Sequence, residues 1–240
     1  MNYIKIAAIT ILAVVVLLLG ALAWMRFGPV RRSAPVEAET NTSISLPEPG
    51  RTDGLPLNAA LEARRSIRDF DEVALTLEEI GQLLWAAQGI TDPRGFRTAP
   101  SAGALFPLEV YLVAGNVEDL AAGVYHYDPS AHALTPIVEG DVRSALAAAS
   151  LGQSSVADGA AVFVLAAEYE RTTRRYGGRG EIYVHIEVGH AGQNIYLQAA
   201  SLELGTVAIG AFEPDRINEL LGLPEAFVPL YVMPVGHPAN

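Results

Sequence analysis

The chain opens on an uncharged apolar run, Ile6 to Trp24, with no polar face at helical spacing. Nineteen helical residues span about 28 Å, close to the hydrocarbon core of a bilayer. The expectation is an N-terminal transmembrane anchor within residues 1–26, with Trp24 at the membrane interface. A cleaved signal peptide is the competing reading, because Ala21-Leu22-Ala23 has the small-x-small pattern of a cleavage site. Arg26, Arg31 and Arg32 after the span, against Lys5 before it, place a retained body on the cytoplasmic face, whereas a signal peptide would place it outside.

From residue 27 to residue 56 no apolar period survives. Pro29, Pro35, Pro47, Pro49 and Pro56 interrupt a Ser/Thr/Glu-rich stretch, which reads as a flexible linker. Patterning resumes at residue 57 and continues to residue 240 as one domain. Residues 58–65 form a short helix. Thr76-Leu77-Glu78-Glu79 is a capping box that opens a helix to Gln88, with Ile80, Leu83, Leu84 and Ala87 on one face. A long loop then runs from Gly89 to Pro107. Leu108–Ala114 is a strand, and Gly123–Tyr127 pairs with Ala133–Val138 as a hairpin around Asp128-Pro129. Residues 141–150 are helical, and Ala160–Ala167 is a fully apolar, buried strand. A long helix spans Ile182–Leu204 and is closed by Gly205. Thr206–Phe212 returns as a strand, Pro214 opens a helix to Leu221, and Val228–Val235 is the last strand. Helices and strands do not alternate strictly, so the fold class is α+β.

Composition changes this picture in two ways. There is no cysteine among the 240 residues, which excludes disulfides, thiolate metal sites and a Cys nucleophile. After residue 32 the chain carries 12 basic and 27 acidic residues, a net −15, so a nucleic-acid partner is not expected. Lys5 is the only lysine, which removes lysine chemistry from the domain. No G-x-S-x-G, P-loop, G-x-G-x-x-G or H-E-x-x-H pattern is present. His185 and His190 are five residues apart and do not share a helix face, so no metal site is expected.

Three stretches depart from the background. Arg64-Arg65-Ser66-Ile67-Arg68 concentrates three guanidinium groups and a hydroxyl in an acidic domain. That donor set suits a phosphate, and it equally suits a solvated basic turn. Pro100-Ser101-Ala102-Gly103 lies in a small-residue loop, which permits close approach of a flat ligand or a second chain, or serves as a plain connection. Gly205 to Phe212 repeats the small-residue pattern after the long helix, where a C-capping glycine and an ordinary strand would also account for it.

Taken in order, Arg64 to Phe70, Pro100 to Glu109, Gly189 to Asn194, Gly205 to Phe212 and Pro234 to Pro238 resemble the FMN-dependent nitroreductase superfamily. More narrowly, they resemble its SagB/ThcOx-type dehydrogenase branch. The resemblance implies a three-layer sandwich with a mostly antiparallel central sheet flanked by helices, a homodimer, and FMN at the subunit interface with NAD(P)H as reductant. It assigns Arg64 and Ser66 to the flavin phosphate, Arg65 to the phosphate and ribityl region, and Arg68 to the N1/O2 edge of the ring. Pro100, Ser101, Ala102 and Gly103 would come from the partner subunit. Ile209, Gly210 and Ala211 would lie along the flavin face, and His237 would assist the phosphate. Azoline-oxidising members carry a Lys-Tyr pair where this chain has Arg175-Tyr176. Tyr176 can still move a proton, whereas Arg175 cannot act as a base. The implied activity is a membrane-tethered FMN oxidoreductase acting on a small molecule or a peptide. The alternative is a catalytically degenerate, dimeric flavin- or ligand-binding module.

Overall fold

The computed structural model describes residues 42–239 except Asp53. The apolar run 6–24 lies outside these residues. Among the described residues no helix is long and apolar enough to cross a membrane.

Seven strands form one sheet: β1 (Ile44–Ser45), β2 (Leu108–Ala114), β3 (Gly123–Asp128), β4 (Ala133–Glu139), β5 (Ala161–Ala167), β6 (Gly205–Thr206) and β7 (Val228–Gly236). Their spatial order is β1-β4-β3-β2-β5-β7-β6, and every pairing is antiparallel. β5 is buried along its whole length, as its unbroken apolar sequence requires. Its side chains still alternate. Phe163 and Leu165 enter one core, while Val162, Val164 and Ala166 enter the other.

The first core lies under α2 (Leu77–Gln88) and α6 (Arg179–Ser201), through Ile80, Leu83, Leu84, Val184, Val188, Ala191 and Ile195. The second lies under α3 (Arg143–Ala149), α4 (Ser154–Asp158) and α7 (Pro214–Leu221), through Leu146, Val156, Ile217 and Leu221. This is the expected three-layer α+β arrangement. α1 (Leu57–Ala63) and α5 (Glu170–Tyr176) complete the α-helices of the described residues, and a single 3-10 turn lies at Ala102–Ala104. The capping box of α2 forms as predicted: the Glu79 N–H donates to Thr76 Oγ1 at 3.2 Å, and the Thr76 N–H donates to Glu79 Oε2 at 2.8 Å. Gly192 lets α6 press against β7, because a Cβ there would stand 3.1 Å from the Tyr231 ring.

The structure departs from the sequence expectations in three places. Thr206–Phe212 is not a strand. Only Gly205 and Thr206 pair with β7, followed by an isolated bridge between Ile209 and Val232. The register that joins Gly205 to Gly236 and Ile209 to Val232 sets Val207 opposite Pro234, which has no N–H to donate, while the Ala208 N–H points away from β7 to the Tyr196 hydroxyl at 2.8 Å. Within the segment expected to be linker, Ile44 and Ser45 pair with β4 and Leu46 is buried. Two short helices, α4 and α5, stand where no element was predicted, and α6 begins at Arg179 rather than Ile182.

Candidate functional site

The long helix α6 organises two polar clusters, one at each side of its middle. The first surrounds Tyr196. Its hydroxyl accepts from the Ala208 N–H and lies 2.9 Å from Ser66 Oγ. One phenol oxygen thus ties the arginine-rich turn to the segment after β6. Backbone contacts reinforce the tie. The Ile67 N–H donates to Thr206 O at 2.9 Å, the Asp71 N–H to His237 O at 2.9 Å, and the Ala239 N–H to Asp69 O at 3.1 Å. Gly205 is required here, since a Cβ would fall 2.7 Å from the Ile67 side chain.

The structure therefore assembles three of the predicted stretches: 64–68, 205–211 and the backbone of 237–239. Arg64 lies over the Tyr196 ring at 5.1 Å. Arg65 is exposed and caps the carbonyls of Glu62 and Arg64 at 2.7 Å. It borders a cavity of about 170 Å³ that also touches Tyr196, Glu203 and Thr206. Arg68 is exposed and makes no hydrogen bond or ion pair with any described residue. Ile209 is buried and bridged to Val232, whereas Gly210 and Ala211 are exposed, and their N–H groups have no acceptor among the described residues. The imidazole of His237 faces Glu79, at 3.9 Å, rather than the arginines.

The second cluster surrounds the loop at Pro100–Phe106. Gly103, Ala104 and Phe106 adopt positive φ values of 65°, 54° and 46°. Ser101 Oγ accepts from the Phe106 N–H at 2.9 Å and closes the turn. At Gly103 a Cβ would stand 2.7 Å from Tyr176 Oη and 3.2 Å from the Arg175 guanidinium. Tyr176 and Arg175 therefore abut the loop of their own chain. Tyr176 packs edge-on against Tyr183 of α6, with centroids 5.1 Å apart. Pro100 is exposed, and Ala102 is half-buried.

Two members of this cluster escaped sequence reasoning. Glu187 of α6 is 2% exposed, and its Oε1 has no partner among the described residues. Burial pushes its carboxyl up to about 7, against the opposing pull of the Ser101 hydroxyl and the Arg97 guanidinium. Arg97 is itself fixed by a 2.7 Å bond to Gln88 Oε1 and lies over the Phe106 ring at 4.7 Å. The available signal was a carboxylate at 187, on the same face as Val184, Val188 and Ala191. Tyr196 was missed for a different reason: an aromatic residue at helical spacing reads as core.

No hydrogen bond or ion pair joins the two clusters among the described residues. Nine residues of α6 separate Glu187 from Tyr196, about 13 Å along the axis.

Comparison with known proteins identifies the family. The nitroreductase family pattern matches residues 61–237. MJ1384 of Methanocaldococcus jannaschii, which carries a nitroreductase name, is 47% identical over 193 residues, covering 80% of this chain and 95% of that protein. The microcin B17-processing protein McbC of Escherichia coli is 30% identical over 169 residues, covering 68% of this chain and 62% of McbC. Among solved structures, one from Ralstonia eutropha JMP134 assigned to the nitroreductases has a TM-score of 0.74 at 33% identity, over 84% of this chain and 92% of that one. The E. coli microcin synthetase McbBCD complex with truncated pro-MccB17 bound contains a chain matching at a TM-score of 0.65 and 25% identity, over 90% and 86% respectively.

Proposed function

Because this chain belongs to the nitroreductase family and fits its SagB-type branch, we propose that it is an FMN-dependent oxidoreductase that works as a homodimer. NAD(P)H is the proposed reductant, and a small molecule or a peptide the proposed substrate. Residues 6–24 are proposed to tether it to a bilayer, with the domain on the cytoplasmic side.

The observation that carries the reading is the Tyr196 cluster. It ties Ser66, beside the exposed Arg68, to Ala208, beside the exposed Gly210 and Ala211, and the Arg68 guanidinium and the two amides have no partner among the described residues. This donor-rich set, open at Gly210 where nothing approaches within 4 Å of a Cβ position, fits a phosphate-bearing ring with an electron-rich edge. When bound, FMN supplies two-electron hydride chemistry. The chain contributes the remainder. Arg64, Arg65 and Ser66 bind the phosphate end, and Arg68 places a permanent cation where negative charge collects. The Gly210 and Ala211 amides orient the ring. Tyr176 holds a proton at its Oη beside the Gly103 turn. Arg175 only supports Tyr176, with its guanidinium 5.4 Å from that ring.

The test is a visible absorption spectrum of the purified full chain in detergent, followed by heat release and chromatography of any chromophore. The expected result is a flavin spectrum that releases FMN and bleaches when NAD(P)H is added without air. A colourless protein that cannot be loaded with FMN would overturn the reading and leave a ligand-binding module in its place.

A further inference from the structure

Helix α5 is seven residues long, too short to hold its own place, so its position is set by what it packs against and what its side chains grip. Tyr176 is its last residue and abuts the turn that carries Gly103. That turn holds three residues at positive φ, two of them not glycine, and such backbone persists only where its surroundings hold it. Both polar backbone groups of Phe106 are held by side chains. Its N–H donates to Ser101 Oγ at 2.9 Å, and its carbonyl accepts from Arg171 Nη1 at 3.2 Å.

Arg171 belongs to α5, and its guanidinium grips more than the turn. The same Nη1 donates to Glu109 Oε1 of β2, Nε donates to Glu168 Oε2 at 2.7 Å, and the group lies 5.5 Å from the centre of the Phe227 ring. The other oxygen of Glu109 is also occupied, with His126 Nε2 of β3 at 2.8 Å from Oε2. Burial opposes the charge on Glu109, but the bonds from His126 and Arg171 outweigh it and hold the carboxyl below its ordinary value. A fixed carboxylate therefore aims the guanidinium. α6 pins α5 in a different way, by backbone packing: a Cβ at Gly180 would stand 2.8 Å from Thr173 Cα.

We propose that Arg171 is the positioning residue of the Tyr176 site: its guanidinium fork joins α5 to the Phe106 carbonyl and to Glu109, and so sets the Tyr176 hydroxyl against the Gly103 turn. Arginine is needed because three acceptors in different directions are met by one rigid fork, whereas a lysine ammonium is a single point on a flexible stem. Arg171 and Tyr176 are five positions apart and lie on different sides of the helix, so the effect travels through the α5 backbone. The consequence for chemistry rests on the flavin reading above, in which the Tyr176 hydroxyl holds a proton beside Gly103.

The first readout needs no flavin. The full chain in detergent is labelled with 3-fluorotyrosine, and the Tyr176 and Tyr196 fluorine signals are assigned by their loss in Tyr176→Phe and Tyr196→Phe. In Arg171→Lys, which keeps the charge and loses the fork, the Tyr176 signal should shift toward that of free fluorotyrosine while the Tyr196 signal stays in place. The Phe106 amide should exchange about tenfold faster in the same variant, the effect of losing one hydrogen bond from a charged donor. An unmoved Tyr176 signal would overturn the proposal, as would unchanged exchange at Phe106, or equal shifts at Tyr176 and Tyr196, which mark general loosening. If Arg171→Lys fails to fold, Glu109→Gln decides in its place. It removes the charge that aims the guanidinium and should move the Tyr176 signal in the same direction.

The second readout is turnover of the FMN-loaded protein with NADPH or NADH as donor and menadione as acceptor. Each cycle oxidises one nicotinamide, and the quinone takes two electrons and two protons. Tyr176→Phe should lower kcat about a hundredfold and Arg171→Lys about tenfold, and the double variant should be no slower than Tyr176→Phe. Losses that multiply in the double variant would overturn the route through Tyr176. If the fluorine and exchange results appear but Tyr176→Phe is as fast as the wild type, the positioning role stands and the proton role of Tyr176 falls. If Tyr176→Phe is slow while the Tyr176 signal is indifferent to residue 171, the reading of Tyr176 stands and this inference falls.

Discussion

The two ends of α6 handle polar groups in opposite ways. Around Tyr196 the side chains of Arg65, Ser66 and Arg68 are exposed, and Arg68 has no hydrogen-bond or ion-pair partner among the described residues. The fold spends its hydrogen bonds there on backbone, at Ile67, Asp71 and Ala208. Around Glu187 the carboxylate and Gln88 are buried, the half-buried Arg97 is bonded to Gln88, and Oε1 of Glu187 and Nε2 of Gln88 have no partner among the described residues. Substitution at an exposed, unpartnered group removes ligand contacts and leaves stability alone. Substitution at a buried, mutually bonded group changes stability first, and any ligand effect follows from it.

Four measurements would break or sharpen this contrast. The largest effect concerns pH. Burial raises the Glu187 carboxyl to about 7 in the folded state, whereas the unfolded chain releases the proton near the ordinary carboxylate value of 4.5. The wild type should therefore lose stability relative to Glu187→Gln as pH rises between those values, and the difference should stay constant above them. The loss is of order 3 kcal/mol, measured as the difference between urea midpoints along a pH series. Parallel curves for the two proteins would mean that the carboxyl is hydrated.

Next is Gly103→Val, which forces a branched side chain into positive φ and against Tyr176 Oη. A cost of about 2 kcal/mol is expected, lowering Tm by roughly 4–8 °C in calorimetry. Tyr196→Phe should cost about 1 kcal/mol by leaving the Ala208 N–H without its acceptor, and it should also release Ser66, so denaturation and FMN retention both respond. At the small end, Arg68→Ala should leave Tm unchanged. FMN bound to that variant should have a lower reduction potential than in the wild type, read by dye-coupled titration. A shifted Tm with an unshifted potential would move Arg68 from the ligand surface to the scaffold.

Much of the fold was legible because its signals are local. The Thr76 box, the unbroken apolar β5 and the proline at the start of α7 each act within a few residues. What failed was longer in range or shorter in extent. Thr206–Phe212 has strand-like composition, but the residue of β7 opposite Val207 is Pro234, which offers the ladder no N–H. Ile44 and Ser45 are too few to show a period, and only their partners Leu134 and Ala133 define them as a strand. At the site, the arginine turn was visible because it departs from an acidic background. Glu187 was hidden by the apolar face around it, where Val184, Val188 and Ala191 read as core.

The position of β5 also bears on how the chain is made. Its neighbours in the sheet are β2, which precedes it, and β7, which begins only at Val228. On a ribosome, Ala161–Ala167 must wait for α5, α6 and α7 to be synthesised before its second edge is covered. Until then a seven-residue segment without charge or proline presents open hydrogen-bonding groups. Nascent chains at this stage are exposed to edge-to-edge association, and a shortage of chaperone should reduce the yield of this protein through its fully buried strand β5.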